Sequence, residues 1–124
     1  MFADLDIFRT AHSMAAHAGK RQAVIAQNIA NADTPGYKPL DIKDFSTVMA
    51  QADLQGSFGR ENLRTTVATL EPQIVRGSAE SPNGNAVSIE QEMVKAADSQ
   101  RQHNQALAIY KSALSVLRTT LGRR

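Results

Sequence analysis

The chain has no cysteine and no tryptophan, and its aromatic complement is four Phe and two Tyr in 124 residues. Without cysteine there is no disulfide scaffold, thiolate zinc site, iron–sulfur cluster or cysteine nucleophile. With so few rings, apolar burial rests on Ala, Leu, Ile and Val, which excludes a large aromatic core. A chain of this length is one small domain, and folding hides only roughly two thirds of its unfolded surface. Charge of one sign is also lacking: 14 Lys and Arg against 12 Asp and Glu leave +2, with no clustered basic stripe, so nucleic acid is not an expected partner. No apolar run reaches the ~20 residues of a membrane span or the ~7–15 of a signal core, and Asp4 and Asp6 stand where a signal would be positive. The expectation is a protein with no membrane insertion and no cleaved signal peptide.

Proline is missing from both ends. Pro35, Pro39, Pro72 and Pro82, together with Gly36, Gly56, Gly59, Gly77 and Gly84, all fall between residues 35 and 84. Because interior proline costs a helix ~3 kcal/mol and glycine ~1 kcal/mol relative to alanine, the partition predicts helix, irregular middle, helix. The divisions are 1–39, an N-terminal helix and its turn; 40–85, a small middle segment; and 86–124, a C-terminal heptad helix.

Period supports both helices. Steps of three and four from Leu5 reach Phe8, His12, Ala15, Gly19, Gln22, Ala26 and Ile29, flanked by Ala11, Ala18 and Ile25. From Ile89 the same steps reach Met93, Ala96, Gln100, His103, Leu107, Tyr110, Leu114, Leu117 and Leu121, a coiled-coil-like pattern. Ser88 with Gln91 fits a capping box, Glu90 and Glu92 suit the helix start, and Arg118, Arg123 and Arg124 suit its end. The expected fold is therefore mainly α: two long helices packed as a coiled-coil-like hairpin, with a small irregular or short-β middle. The predicted seam comprises Leu5, Phe8, Ile25, Ile29, Ile89, Met93, Leu107, Tyr110, Leu114, Leu117 and Leu121. At ~1.5 Å per residue, helices over about 4–30 and 88–121 are roughly 40 and 50 Å long. Such helices carry more apolar surface than one partner covers, which points to assembly.

In the middle, Ile42, Phe45, Val48 and Met49 predict one or two helical turns. Leu63, Val67, Leu70, Ile74 and Val75, mixed with Thr65, Thr66 and Thr69, suit short strands. Residues 77–85 read as loop.

Signals for chemistry are few. His12 and His17 are five apart and point to different sides of a helix, so they do not form a metal face. His12 and His103 fall on seam positions, where facing each other they would tune register or respond to pH. Asp41 with Asp44, and Glu90 with Glu92, read as solvated faces or helix starts rather than acid–base pairs. Gly56-Ser57-Phe58-Gly59 is too short for a phosphate loop, and no serine sits in a nucleophile elbow. No catalytic, cofactor-binding or metal residues are assigned, and the reading is of a protein that is not an enzyme.

One stretch is specific: Asn28-Ile29-Ala30-Asn31-Ala32-Asp33-Thr34-Pro35-Gly36-Tyr37-Lys38. It predicts a helix stop with a left-handed cap at Asn31, a type II turn centred on Pro35 and Gly36, Tyr37 folding back on the helix end, and Lys38 reaching its carbonyls. A helix stop needs only one or two such residues. The pattern Asn-x-Ala-Asn-x-x-Thr-Pro-Gly-Tyr-Lys resembles the signature of the bacterial flagellar axial family of rod and hook proteins. It is matched here at Asn28, Asn31, Thr34, Pro35, Gly36, Tyr37 and Lys38, which become the expected assembly motif. Glu92-Met93-Val94-Lys95 resembles the matching C-terminal region.

Within that family, the short length, small middle and run Ile89–Lys95 are most similar to the proximal rod subunits. Another short member usually carries an Arg-Ala-Tyr-like run where this chain has Arg101-Gln102-His103, and it is the nearest alternative. The resemblance implies a structural protein without catalysis or cofactor, polymerising helically into the hollow drive shaft that transmits torque and lets export substrates pass. It implies as partners other rod subunits and further copies of the chain, the inner-membrane ring, a rod–ring adaptor and the type III export gate. The implied location is the periplasmic rod of the basal body. A freestanding dimeric coiled-coil adaptor is the rival class, and it predicts a defined dimer with no need of the turn motif.

Overall fold

A computed structural model describes residues 2–77 and 79–122, with side chains from Leu5 onward. Ser78, read as loop, and Arg123 and Arg124, read as helix-end charges, lie outside the described residues. The elements are α1 (Phe2–Ala30), β1 (Leu40–Asp41), α2 (Phe45–Leu54), α3 (Gly56–Glu61), α4 (Leu63–Ala68), β2 (Gln73–Ile74) and α5 (Ile89–Leu121).

The two long helices run where proline is absent, 29 residues in α1 and 33 in α5. They pack antiparallel: Asn28 meets Glu92, Gln22 meets Gln100, and Phe8 meets Tyr110. The start of α5 is capped as its sequence predicts, with Ser88 Oγ accepting Gln91 N–H at 3.4 Å.

The middle segment differs from its sequence reading. Residues Leu63–Ala68 form α4 rather than a strand, because Leu63 and Val67, four apart, share one buried helical face against Phe45, Val48 and Ala52. The threonines fit a helix by turning their hydroxyls onto the preceding turn, Thr66 Oγ1 to Asn62 O at 3.0 Å and Thr69 Oγ1 to Thr65 O at 2.9 Å. Lys20 of α1 donates to Ala68 O at 2.9 Å, satisfying a carbonyl at the end of α4 and opposing its dipole. Among the described residues strand is confined to one antiparallel ladder, Leu40 opposite Ile74 and Asp41 opposite Gln73, extended by Val75 N–H to Pro39 O at 2.9 Å. The small core of α2 and α4 is closed by Met14, Met49 and Leu70, so the middle segment packs on the flank of α1.

Candidate assembly site

The turn after α1 is built in layers. Gly36 has φ 74°, the left-handed value that a type II turn requires at its third residue, and Tyr37 N–H reaches back to Thr34 O at 3.3 Å. Asn31 is not a left-handed cap: among the described residues only glycines have positive φ. It ends the helix another way, its Nδ2 donating to Gln27 O at 2.8 Å and its Oδ1 accepting Thr34 Oγ1 at 3.1 Å. Lys38 is exposed and makes no hydrogen bond among the described residues, so it does not reach the helix carbonyls.

Asn28 is the hub. It is fully buried, and its carboxamide makes four hydrogen bonds: Nδ2 donates to Leu40 O at 2.7 Å and to Glu92 Oε2 at 3.1 Å, while Oδ1 accepts Leu40 N–H at 2.9 Å and Tyr37 O–H at 3.1 Å. Every polar valence of the carboxamide is used. The Tyr37 hydroxyl is held protonated, its pKa raised by burial and then by the Glu92 charge, so it remains a donor to Asn28.

Glu92 lies in the first turn of α5, as the helix-start reading expects, but it is not on a solvated face: it is 1% exposed. It is held by Asn28 and by Lys95 Nζ at 3.4 Å, and Lys95 lies 3.7 Å from Asp41 Oδ2. Asp41 also receives Arg21, at 3.3 Å through Nε and 3.4 Å through Nη2. Asp41 is therefore not a solvated carboxylate either. The result is an alternating row, Arg21, Asp41, Lys95, Glu92, that ties α1, β1 and α5 together, each charge facing an opposite one.

A second layer holds the turn from outside. Asn85, nearly fully buried, donates Nδ2 to Asn31 O at 2.8 Å and to Thr34 O at 2.6 Å. Gly36 N–H donates to Asn83 O at 3.1 Å, and Ala86 N–H to Tyr37 O at 3.0 Å. Gly84 comes so near that a Cβ there would lie 3.4 Å from Gly36 Cα. Residues 81–87 thus clasp the turn, leaving Asp33, Thr34, Pro35, Gly36 and Lys38 exposed at its tip. Sequence reasoning missed Arg21 and the clasping role of Asn85, and it named Asp41 and Lys95 without their ion pairs. Asn85 has only the Asn-Gly-Asn turn composition as a signal and Lys95 its spacing of three from Glu92, whereas the pairing of Arg21 and Lys95 with Asp41 is tertiary.

The seam of the hairpin lies beside the predicted one. On α5 the buried residues are Glu92, Ser99 and Ala106, a strict heptad of polar and small side chains; on α1 they include Ala11, Ala18 and Ile25. Small residues let the backbones approach until Ser99 Oγ donates to Ala18 O at 2.8 Å, and that approach selects the small face over the large one. Of the predicted seam residues, Ile25 is buried, Phe8 packs edge-on against Tyr110 at 5.2 Å, and Leu114 and Leu117 are half-buried. Leu5, Ile29, Ile89, Met93, Leu107 and Leu121 are exposed, Met93 by 63%, and Tyr110 keeps 45% of its surface open. Near the free end of the hairpin, Leu5, Phe8, His12, Tyr110 and Leu114, with Arg9 and Arg64, line a groove of about 430 Å³.

The histidine inside the seam is His17, not His12, which is exposed. Nε2–H of His17 donates to Lys43 O at 2.6 Å, and Nδ1 accepts Gln102 Nε2 at 2.9 Å. Gln102 shares that amide with Met14 O at 3.0 Å, and Gln22 meets Gln100 across the helices at 3.1 Å. Burial, foremost, lowers the His17 pKa, with the Arg21 charge acting in the same direction against the Lys43 carbonyl and the charges of Asp44 and Asp41. Among the described residues there is no metal-binding cluster of His, Asp and Glu, and no helix long and apolar enough to cross a membrane.

A hairpin that buries small residues along its closest approach, leaves much of its large apolar surface outward and cross-braces the turn at one end suits an assembly subunit. Comparison with known proteins narrows the class. The family model described as flagella basal body rod protein matches residues 8–38, which is most of α1 and the turn. The flagellar basal body rod protein FlgB of Agrobacterium fabrum is 28% identical, covering 96% of this chain and 95% of its own length. Its counterpart in Salmonella typhimurium is 29% identical over 82% of this chain and 83% of its own. That of Escherichia coli is 31% identical over 72% and 73%. The chain belongs to the family of flagellar basal-body rod proteins, and within it is most similar to FlgB.

Proposed function

We propose that the chain is a structural subunit of the flagellar basal-body rod, in its proximal part, and that the outward apolar face of the hairpin is its contact with neighbouring subunits. The observation that carries this reading is the division of labour on α5: Glu92, Ser99 and Ala106 hold the hairpin, while Ile89, Met93, Leu107 and Leu121 remain free for other chains. An exposed apolar row of this length on a small protein fits burial by further helices. Contacts of one face with a different face of the next subunit do not close, and with rotation and rise they generate a tube. In this reading the hairpins form the hollow drive shaft, and the clasped turn, with Asn28, Asn31, Thr34, Pro35, Gly36, Tyr37 and Lys38, fixes the angle at which the middle segment leaves it. The neighbours are other rod subunits and further copies. The inner-membrane ring, the rod–ring adaptor and the type III export gate are met on the way to a periplasmic position. No catalysis is called for, as the family is a structural one.

The test is genetic and visual. Deleting the gene should leave basal bodies that stop at the ring without a rod, and a plasmid copy should restore rods and swimming. Rods built normally in the deletion strain would overturn the proposal, as would a purified chain that forms only a closed dimer and tolerates every change in the turn.

A further inference from the structure

Asn83 is followed by Gly84, and no other asparagine of the chain precedes a glycine. Glycine has no side chain to shield its amide nitrogen or restrict its φ. That nitrogen can therefore reach the carboxamide carbon of the residue before it. Asn83 is exposed, yet it sits where residues 81–87 grip the turn. Its main-chain oxygen accepts Gly36 N–H at 3.1 Å, and its Oδ1 accepts Asn85 N–H at 3.0 Å. Gly84 N–H is itself engaged, donating to Ser81 O at 2.8 Å, and Gly84 has φ 82°.

We infer that Asn83 is a site of spontaneous covalent modification, a deamidation gated by the clasp. The Gly84 nitrogen, giving up its proton to solvent base, attacks Asn83 Cγ. The new C–N bond closes a five-membered succinimide, and the side-chain nitrogen leaves as ammonia after taking a proton from water. A second water opens the ring at either carbonyl, giving aspartate or isoaspartate. One water is consumed in all, one ammonia is released, and nothing is oxidised or reduced.

In the closed clasp both reacting groups are occupied. The nucleophile is bonded to Ser81 O and the carboxamide is pinned by Asn85 N–H, so ring closure waits for local opening. The two products then differ in consequence. Aspartate keeps the main chain and an Oδ acceptor for Asn85 N–H. Isoaspartate reroutes the main chain through the side chain, adds a methylene, and turns the carbonyl that Gly36 uses into a free carboxylate. A chain so modified does not restore the Gly36 hydrogen bond or the close approach of Gly84 to Gly36. The site thus records how long a subunit has spent unclasped.

The experiment follows the purified full chain at pH 8 and 37 °C, native and in guanidinium chloride, by peptide mass mapping and isoaspartyl methyltransferase labelling. Modification at Asn83 should be at least about 10-fold slower in the native chain, because only the open fraction reacts. Hydrogen exchange at the Gly36 and Ala86 amides of the unmodified chain measures that open fraction independently, and the two factors should agree. Asn85→Ala should move the native rate toward the denatured one. Aged chains carrying isoaspartate should lose protection at Gly36 and Ala86, whereas Asn83→Asp should retain it. Equal rates in both conditions, or no modification of Asn83 in the denatured chain, would overturn the inference. If Asn85→Ala does not fold, the comparison of exchange with modification in the unaltered chain decides alone.

Discussion

Asn28 and Glu92, 64 residues apart in the chain, meet at 3.1 Å in a site closed to water, the carboxamide of one long helix donating to the carboxylate of the other. The same carboxamide holds both main-chain groups of Leu40 and the hydroxyl of Tyr37, so one side chain joins α1, the turn, β1 and α5. Asn28→Ala leaves four groups without their partner, one of them a buried carboxylate. Each buried orphan costs about 1–3 kcal/mol, with partial relief by water, so the expected loss of folding stability is about 3–4 kcal/mol in denaturant unfolding. Glu92→Gln keeps an acceptor for Asn28 and should cost less than half as much. Equal losses from the two variants would contradict a hub at Asn28.

The long helices were legible because proline is absent and glycine sparse over residues 2–30 and 89–121, and the turn because Pro35 and Gly36 suit its φ values, although the roles expected of Asn31 and Lys38 were not met. What was not legible has a common cause. Period counting ranks Met93 and Leu107 above Ser99 and Ala106 by hydrophobicity, yet the closest backbone approach needs the small residues, and Ser99 reaches Ala18 O only because it is small. Glu92 read as solvated because its burial and its partner Asn28 are set by the register of the hairpin, while Lys95, three residues on in the same helix, gives no sign of that burial. Thr65, Thr66 and Thr69 suggested strand, and packing of Leu63 and Val67 overruled that propensity.

The division between seam and outer face can be tested directly. Ala18→Leu forces three extra carbon atoms into the place where α5 crosses, and overpacking of this kind costs roughly 1–3 kcal/mol. Met93→Ser with Leu107→Ser acts on exposed positions and should leave unfolding within about 0.5 kcal/mol of the parent for each change. The expected pattern is a destabilised chain in the first case and a stable chain that fails to build rods in the second. A Met93, Leu107 double variant that swims normally would remove that face from the assembly interface.

His17 makes the fold sensitive to acid. Its folded pKa lies below the unfolded reference of about 6.5, so in that window the unfolded chain binds the extra proton and stability falls as pH falls. The contribution is complete above about pH 6.5 and is lost on acidification toward the folded pKa. The geometry gives the same sign, since a proton on Nδ1 would face the Gln102 amide, which is already donating. Chemical denaturation between pH 5 and 8 should show stability dropping on the acid side, and His17→Gln should flatten part of that slope. A profile unchanged by the substitution would place the acid sensitivity elsewhere.

Order should be uneven along the isolated subunit. The buried residues of α5 stop at Ala106, and those of α1 lie between Ala11 and Asn28, so the last turns of α5 and the first of α1 rest on half-exposed contacts such as Phe8 with Tyr110. Native-state hydrogen exchange should find protection over about 11–28 and 92–106, with fraying toward both chain ends that is suppressed on assembly. Uniform, high protection through Leu121 in the free chain would argue against order completed by neighbours.

Gly36 separates the fold from its use. A Cβ at this position meets nothing within 4 Å, so Gly36→Ala introduces no clash and acts only through φ 74°, at a cost of about 1–2 kcal/mol for a left-handed alanine. That cost falls on the turn and on the Gly36 N–H bond to Asn83 O, not on the seam, whose contacts lie along α1 and α5. Pro35→Ala acts in the same place by loosening the φ that precedes the glycine. Circular dichroism should therefore report near-parental helix content for both variants, while swimming and rod number in a complemented deletion strain fall markedly. Helix content and rod assembly lost in equal measure would make the turn a determinant of folding alone, and the exposed tip at Pro35 and Gly36 would then have no separate part in placing the subunit.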